Sequence, residues 1–484
     1  MTFLNTSGSV LSSCILPVGS NWHTTSLLAG QPAGSGDWAE VSSPVTGTPL
    51  QKVQLLDNSE LTALTAPSSE PLHIDHDELA AFCERLHTQL QALWPELNEA
   101  LLLETGFTRH DCDELLAGSL QFVQEFPALL LHEKPVLVAS YQHADQARQI
   151  SLTRCAWGNV AIVLPQNAFL LVALTGLLNA LAAGNRVILR APLQSARSAA
   201  LLAQALLAAQ EPWNAISLVN TRALDFLQTL YAAPEPVLVH YMGGSNRAAQ
   251  LLGQSFEAGQ PAIIDGSGNT WTWIDADFPL DDAVDILLAG STRYNGQTCT
   301  SINGALVHPQ IYEAVQEQLQ QRWAELSYGN PLTEEVRVGP LFDEKQALGC
   351  QQQLHESGGT LLCGGKRTGN LLQPTLISEP SCQSTLVNEG IFGPALWIAP
   401  GTAEEFCELW QSNRYPLCAA VLSPGADASW WASRLRNLSR LILNGDPSLE
   451  HIHEPWGGYP SSSANTVSRW IEKYQRVVQV DAPA

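Results

Sequence analysis

At 484 residues and 45% apolar content, the chain is long enough for two or three globular domains and is not that of a disordered protein. A formal net charge of −23, from 24 Lys and Arg against 47 Asp and Glu, excludes nucleic acid or an anionic membrane held through a basic face. Charged residues make up only 15%, below the usual quarter or so, which points to much surface buried between domains or subunits.

The first residues lack the basic start and apolar core of a signal peptide. The ten cysteines form no CxxC pair and no metal-binding spacing, so they read as reduced thiols of a cytoplasmic protein. Residues 1 to 75 are rich in Ser, Thr, Gly and Pro, with a turn at Ser43-Pro44-Val45-Thr46-Gly47, and read as an extended lead-in with short strands. From Asp77 to about Phe126 the spacing of Leu79, Phe82, Leu86, Leu90 and Leu93 is helical. Lys134 to Ala156 alternates polar and apolar residues and predicts a hairpin.

Strands and helices then alternate. Strands are expected at Asn159–Leu164, Arg186–Leu189, Ile216–Val219 and Val237–Tyr241, with helices at Ala168–Ala183, Ser195–Ala209 and Leu224–Tyr231 between them. That order specifies a parallel, doubly wound sheet, which takes ligands at the carboxyl ends of its strands. The apolar run from Ala168 to Gly184 is too short for a membrane span, contains Thr175 and Asn179, and reads as a buried helix. A second alternating region runs from about Ala262 to residue 440, with Pro309 expected at the first position of a helix bearing Ile311, Val315, Leu319 and Trp323. The tail from Arg469 to Val480 ends in the β-branched run Val477-Val478-Gln479-Val480.

Cys299 stands on a polar, Gly-containing loop, Arg293 to Thr300, between a helical stretch and a strand. Loops on a rigid scaffold are where chemistry concentrates, and a thiolate is a strong nucleophile. Gly243-Gly244-Ser245, between a strand and a helix, suits a pyrophosphate, although the chain has no GxGxxG. Asn167 follows a strand and is either a cleft amide or a turn and capping residue. His451 and His453 beside Glu454 lack a third metal ligand and read as loop residues, with no metal expected. Arg293 is a candidate anion contact, and Trp430, Trp431 and Trp456 either line an apolar tunnel or belong to the core.

Six segments in order resemble the aldehyde dehydrogenase superfamily: Pro165-Gln166-Asn167-Ala168-Phe169, Ala180 to Arg190, Gly243-Gly244-Ser245, Asn295-Gly296-Gln297-Thr298-Cys299, Ile391-Phe392-Gly393-Pro394 and Pro455-Trp456-Gly457-Gly458-Tyr459. The resemblance implies an α/β fold with two doubly wound domains and a small β oligomerisation element. The cofactor domain would take residues 1–133 and 157–261, the catalytic domain 262–440, and the oligomerisation element 134–156 and 465–484, giving a homodimer or homotetramer.

The same resemblance implies a small aldehyde as substrate and oxidation to the acid through a thiohemiacetal and thioester on Cys299. Asn167 would hold the oxyanion and Asp265 would be the base, one methylene shorter than the family's usual glutamate. Gln166, Arg190, Gly244, Ser245, Glu389 and Phe392 would bind NADP or NAD. Two positions depart from the family: Gly390 stands where a ribose-binding glutamate is usual, with Glu389 one residue early, and Leu193 stands where NAD-preferring members carry a carboxylate. The second change tilts the expectation toward NADP. The alternatives are an acylating, coenzyme A-dependent enzyme, or a non-catalytic member kept as a binding or structural protein.

Overall fold

The computed structural model describes residues 15–18, 21–24, 26–66, 72–130, 136–143, 146–210, 212–451 and 453–483. Cys14 and positions 134–135 of the expected hairpin lie outside the described residues.

Two seven-stranded sheets carry the molecule. In the first, Asn159–Val163 is central. It pairs in parallel with Arg186–Ala191 on one side and Val237–Met242 on the other. Ile216–Asn220 extends the first side and Ala262–Asp265 the second, both in parallel. Ser26–Leu28 and Gln31–Ala33 add an antiparallel edge. The chain therefore leaves the central strand in both directions, which opens a crevice at the carboxyl ends of Asn159–Val163 and Val237–Met242. All five residues of Asn159–Val163 are buried, as a strand covered on both faces must be.

The helix Phe169–Ala182 lies under this sheet and is apolar nearly all round, with eleven buried residues. Among the described residues no helix is long and apolar enough to cross a membrane. The long helical region resolves into His76–Ala92, Trp94–Thr105 and Arg109–Leu129. Asp75 and Thr108 cap the first and third by accepting backbone N–H bonds, each worth about 1 kcal/mol. The lead-in contains a helix absent from the sequence reading, Asn58–Ala63, entered through a reciprocal capping box between Asp57 and Glu60.

The second sheet runs in the order Thr360–Cys363, Thr375–Ser378, Ala395–Pro400, Ile302–Val307, Thr270–Ile274, Cys418–Leu422 and Arg440–Leu443, parallel except at its first pair. The helix before Ala324 begins at Tyr312, so Pro309 sits in the preceding turn and not at the first helical position. Its N–H-free ring is compatible with either place, and the His308 to Ile311 turn closes first.

A third, antiparallel sheet joins Val136–His143, Gln146–Ala156 and Gln475–Pro483. Val136, Leu137, Val138, Leu152, Val477 and Val480 stand exposed on it. Arg148 and Asp481 tie its ends at 2.9 Å.

Candidate active site

The nucleophile loop is built by left-handed backbone. After the helix Leu280–Thr292, Tyr294 (φ 52°, ψ 37°) and Asn295 (φ 57°, ψ 25°) reverse the chain. Gly296 follows at φ +67°, where a Cβ would lie 2.2 Å from the Gly393 carbonyl oxygen. The Asn295 amide donates to the Gly106 and Pro340 carbonyls at 3.0 and 3.1 Å, and its oxygen accepts from Gly339 N–H at 2.8 Å. From the other side the connector between the two sheets presses in. A Cβ on Gly268 would fall 1.9 Å from the Cys299 carbonyl oxygen, so only glycine permits this approach.

Cys299 is half-buried at the amino end of Ile302–Val307, facing the carboxyl edge of the first sheet. Burial pushes its thiol far above the ordinary range, and the Glu450 and Asp265 carboxylates push it further. The resting group is therefore the thiol, and its reaction needs nearby proton acceptors or donors to the product anion.

Asn167 leaves the central strand of the first sheet and meets this loop: its Nδ2 donates to the Gln297 carbonyl at 2.9 Å. One amide hydrogen is thereby used, and the amide keeps a second one to donate. Gln166 turns the other way and donates to the Glu104 carbonyl at 2.7 Å. Glu104 is itself buried, with a carboxyl that burial raises to about 7 despite bonds from Ser198, Arg197 and Gln51.

Asp265 ends the strand Ala262–Asp265 and reaches the site with both carboxylate oxygens engaged. Oδ2 lies 2.7 Å from His240 Nε2, and Oδ1 accepts from Asn465 Nδ2 at 3.0 Å. His240 Nδ1 in turn meets the Tyr474 hydroxyl at 2.9 Å. Burial alone would raise the Asp265 carboxyl, but the bond and charge of His240, with Lys473 and Asn465 behind, hold it below the usual range. None of these partners was evident from the sequence.

The residues expected to hold a dinucleotide divide. Gly244 is exposed at the entry to the short turn Ser245–Arg247, which leads into the helix Ala248–Glu257. Ser245 N–H donates to Ser267 Oγ at 3.1 Å, and its hydroxyl donates to the Ser462 carbonyl at 2.7 Å. Arg190, at the end of its strand, has a buried guanidinium bonded to the Thr221 carbonyl at 3.0 and 3.1 Å, and burial lowers it to about 10. Among the described residues no carboxylate pairs with it, Leu193 packs on a small apolar cluster, and the exposed Arg247 is, like Arg190, close enough to act on Tyr241. This cationic lining fits a phosphate-bearing cofactor.

Glu389 is not free: Arg414 pairs with it near the surface at 2.5 Å. Nor can position 390 carry the missing side chain. Gly390 has φ +74°, and a Cβ there would lie 2.3 Å from Asn303 Oδ1. Phe392 presents a ring that is 39% exposed.

Three further groups singled out in the sequence also have defined places, and the first is a correction. Arg293 is neutralised by Asp446 at 2.8 Å and Glu114 at 3.4 Å, so it is no free anion contact. Trp431 is core, packed against Trp273 and Phe406, and Trp430 covers it under the Arg434 guanidinium. His453 bonds Glu125 at 2.9 Å, and no metal-binding group of three His, Cys, Asp or Glu occurs among the described residues.

A thiol held on a rigid loop, facing the ligand crevice of a doubly wound sheet, defines a cysteine-centred oxidoreductase of the two-domain α/β type. The model described as the aldehyde dehydrogenase family matches residues 32–481, and the chain belongs to that family. Aspartate-semialdehyde dehydrogenase 1 of Pseudomonas canavaninivorans is 28% identical over 324 residues, covering 66% of this chain and 68% of its own. The NADP(+)-dependent succinate-semialdehyde dehydrogenase GabD of Escherichia coli is 25% identical over 375 residues, covering 75% and 77%. The NAD+ complex of an aldehyde dehydrogenase from Bacillus cereus superposes with a TM-score of 0.87 at 20% identity, over 99% of each chain. Aldehyde oxidation is the chemistry of this family, and the protein is an oxidoreductase of that kind.

Proposed function

We propose that the protein oxidises a small aldehyde to the carboxylic acid through a covalent intermediate on Cys299, with NADP preferred over NAD. The observation that carries this reading is the hydrogen bond from Asn167, just beyond the central strand of the first sheet, to Gln297 in the loop that carries Cys299.

The Cys299 sulfur attacks the aldehyde carbonyl and gives a thiohemiacetal. The second Asn167 amide hydrogen and the Cys299 N–H stabilise the oxyanion; the loop that fixes them is locked by Asn295 and by the contact with Gly268, so little reorganisation is needed. Conversion of this adduct to a thioester would need a hydride acceptor, the chemistry a bound nicotinamide would supply. Gly244, Ser245, Gln166, Arg190 and Phe392 would hold the dinucleotide. Arg190 and Arg247 supply the positive charge a 2′-phosphate seeks, and Leu193 offers no carboxylate to repel it or to bind a free ribose hydroxyl. Asp265, held by His240 and Asn465, contributes a fixed charge behind the thiol.

The exposed apolar residues of the third sheet support a homodimer or homotetramer, since such a sheet face is otherwise an aggregation risk. Light scattering showing only monomer would refute that. The nine described cysteines are all free, in keeping with a cytoplasmic setting. The cofactor is tested by titrating the protein with NADP and with NAD while following tryptophan fluorescence. Tighter binding of NADP is expected, and tighter binding of NAD would overturn the preference.

A further inference from the structure

The reading above assigns no base to thioester cleavage, and Asp265 is engaged by a bond at each carboxylate oxygen. His240 and Asn465 are both buried and hold Asp265 within their network. Another carboxylate reaches the same loop. Glu450 Oε1 accepts from Thr300 Oγ1 at 2.9 Å, and Thr300 is the residue after the nucleophile.

This placement is enforced. Glu450 lies on the segment between Arg440–Leu443 and Trp456–Gly458, which two arginines clamp. Arg293 Nη1 donates to Asp446 Oδ2 at 2.8 Å and to Ser448 Oγ at 2.5 Å. Arg440 donates to the Pro447 carbonyl, to the Leu449 carbonyl at 2.6 Å, and to the Glu454 carboxylate at 2.8 and 3.0 Å. The segment is thus held on both sides of Glu450 at a fixed distance from Thr300. No group among the described residues bonds Glu450 Oε2.

We propose that Glu450 is the general base that activates water for cleavage of the Cys299 thioester, an assignment that rests on Cys299 being the nucleophile. Water attacks the thioester carbonyl carbon while one of its protons passes to Glu450 Oε2. The tetrahedral adduct collapses, the carbon–sulfur bond breaks, the acid departs, and the proton passes from Glu450 to the thiolate. Thioester and water become carboxylic acid and thiol, with no oxidant or reductant consumed. The surroundings suit the task. Desolvation beside Thr300 raises the proton affinity of the carboxyl and Glu454 adds to this, while Arg440 and the Thr300 hydroxyl oppose it; the rest of the residue is exposed, open to water. A base of raised proton affinity is the better acceptor at neutral pH.

The test uses p-nitrophenyl acetate, which acylates a reactive thiol and releases p-nitrophenolate, so that neither cofactor nor the natural aldehyde is needed. The wild-type protein should give a stoichiometric burst followed by slower turnover. Glu450→Gln should keep the burst, which also reports a folded site, and lose turnover by about 100-fold, the low end of what a general base supplies. The acetylated Cys299 peptide should accumulate in mass spectra. Hydroxylamine, which attacks thioesters without a base, should restore turnover in this variant and yield acetohydroxamate. Asp265→Asn removes a charge behind the thiol and so alters the burst rate, but it should not accumulate acyl-enzyme. Turnover of Glu450→Gln at the wild-type rate, loss of its burst, or acyl-enzyme accumulation in Asp265→Asn instead would overturn the assignment while leaving Cys299 in place. A wild-type protein without a burst, or Cys299→Ala with one, would remove the nucleophile itself.

Discussion

Gly390 reads as the loss of a family carboxylate, yet the backbone makes glycine the only residue the position accepts. Its φ of +74° and ψ of −176° lie in a region populated almost solely by glycine, where another residue costs about 1–3 kcal/mol. A Cβ would also stand 2.3 Å from Asn303 Oδ1 and 2.8 Å from Asn269 Oδ1. Neither amide is free to retreat. Asn303 Nδ2 donates to the Ile391 carbonyl at 2.9 Å, and Asn269 donates to Val387 at 2.8 Å while accepting from Trp271 Nε1 at 3.0 Å. Displacing both adds about 1 kcal/mol for each bond weakened. Gly390→Ala should therefore lose about 3–5 kcal/mol.

Two controls separate the causes. Gly369 has φ +59° and nothing within 4 Å of a built Cβ, so Gly369→Ala carries backbone strain alone, about 1 kcal/mol. Gly118, inside Arg109–Leu129 with equally open space, should gain about 0.5–1 kcal/mol on Gly118→Ala. Thermal unfolding followed by circular dichroism reads all three. At about 2–4 °C per kcal/mol for a unit of this size, Gly390→Ala should melt roughly 10 °C below wild type, with the order 118, 369, 390 from most to least stable. A Gly390→Ala protein as stable as Gly369→Ala would refute the steric argument and reopen the position to a ribose-binding side chain.

Asn167→Ala removes the side-chain oxyanion donor and should lower the acylation rate with p-nitrophenyl acetate by about 100- to 1000-fold, leaving the melting temperature nearly unchanged; a loss under tenfold would place the oxyanion elsewhere. Because burial and two carboxylates raise the Cys299 thiol, thiolate is scarce at neutral pH and grows as pH rises. Alkylation by iodoacetamide should accelerate continuously from about pH 7 to pH 9 without a plateau, followed by mass spectrometry of the Cys299 peptide. A plateau below about pH 8 would show a thiol activated in the resting protein, contrary to the charges around it.

The first sheet was legible because each strand is a short apolar run bounded by turn residues. Asn159–Leu164 was expected and Asn159–Val163 is found; Ala168–Ala183 was expected and Phe169–Ala182 is found. Cys299 and Asn167 could be picked out because each sits on a loop just outside a periodic segment. What surrounds them was not legible. His240 and Asn465 meet Asp265 from positions 25 and 200 residues away, and nothing local in a strand histidine or a loop asparagine announces such a contact. Glu450 carries no local signal either, since its role depends on the two arginines that shape its loop. The helix Asn58–Ala63 did have one, the acidic pair Asp57 and Glu60 at capping-box spacing, obscured by the Ser- and Gly-rich stretch around it.

The network behind Asp265 orders events during synthesis. Asp265 and His240 emerge from the ribosome long before Asn465, Lys473 and Tyr474, which complete their bonding. The first sheet has all its strands once residue 265 is made, and domains fold as they emerge. A nascent chain shorter than residue 474 therefore holds a formed sheet around an unfinished centre, its Asp265 lacking the asparagine and its His240 lacking the tyrosine. The bonding behind Asp265 is therefore completed only once residues 465 to 474 have joined it.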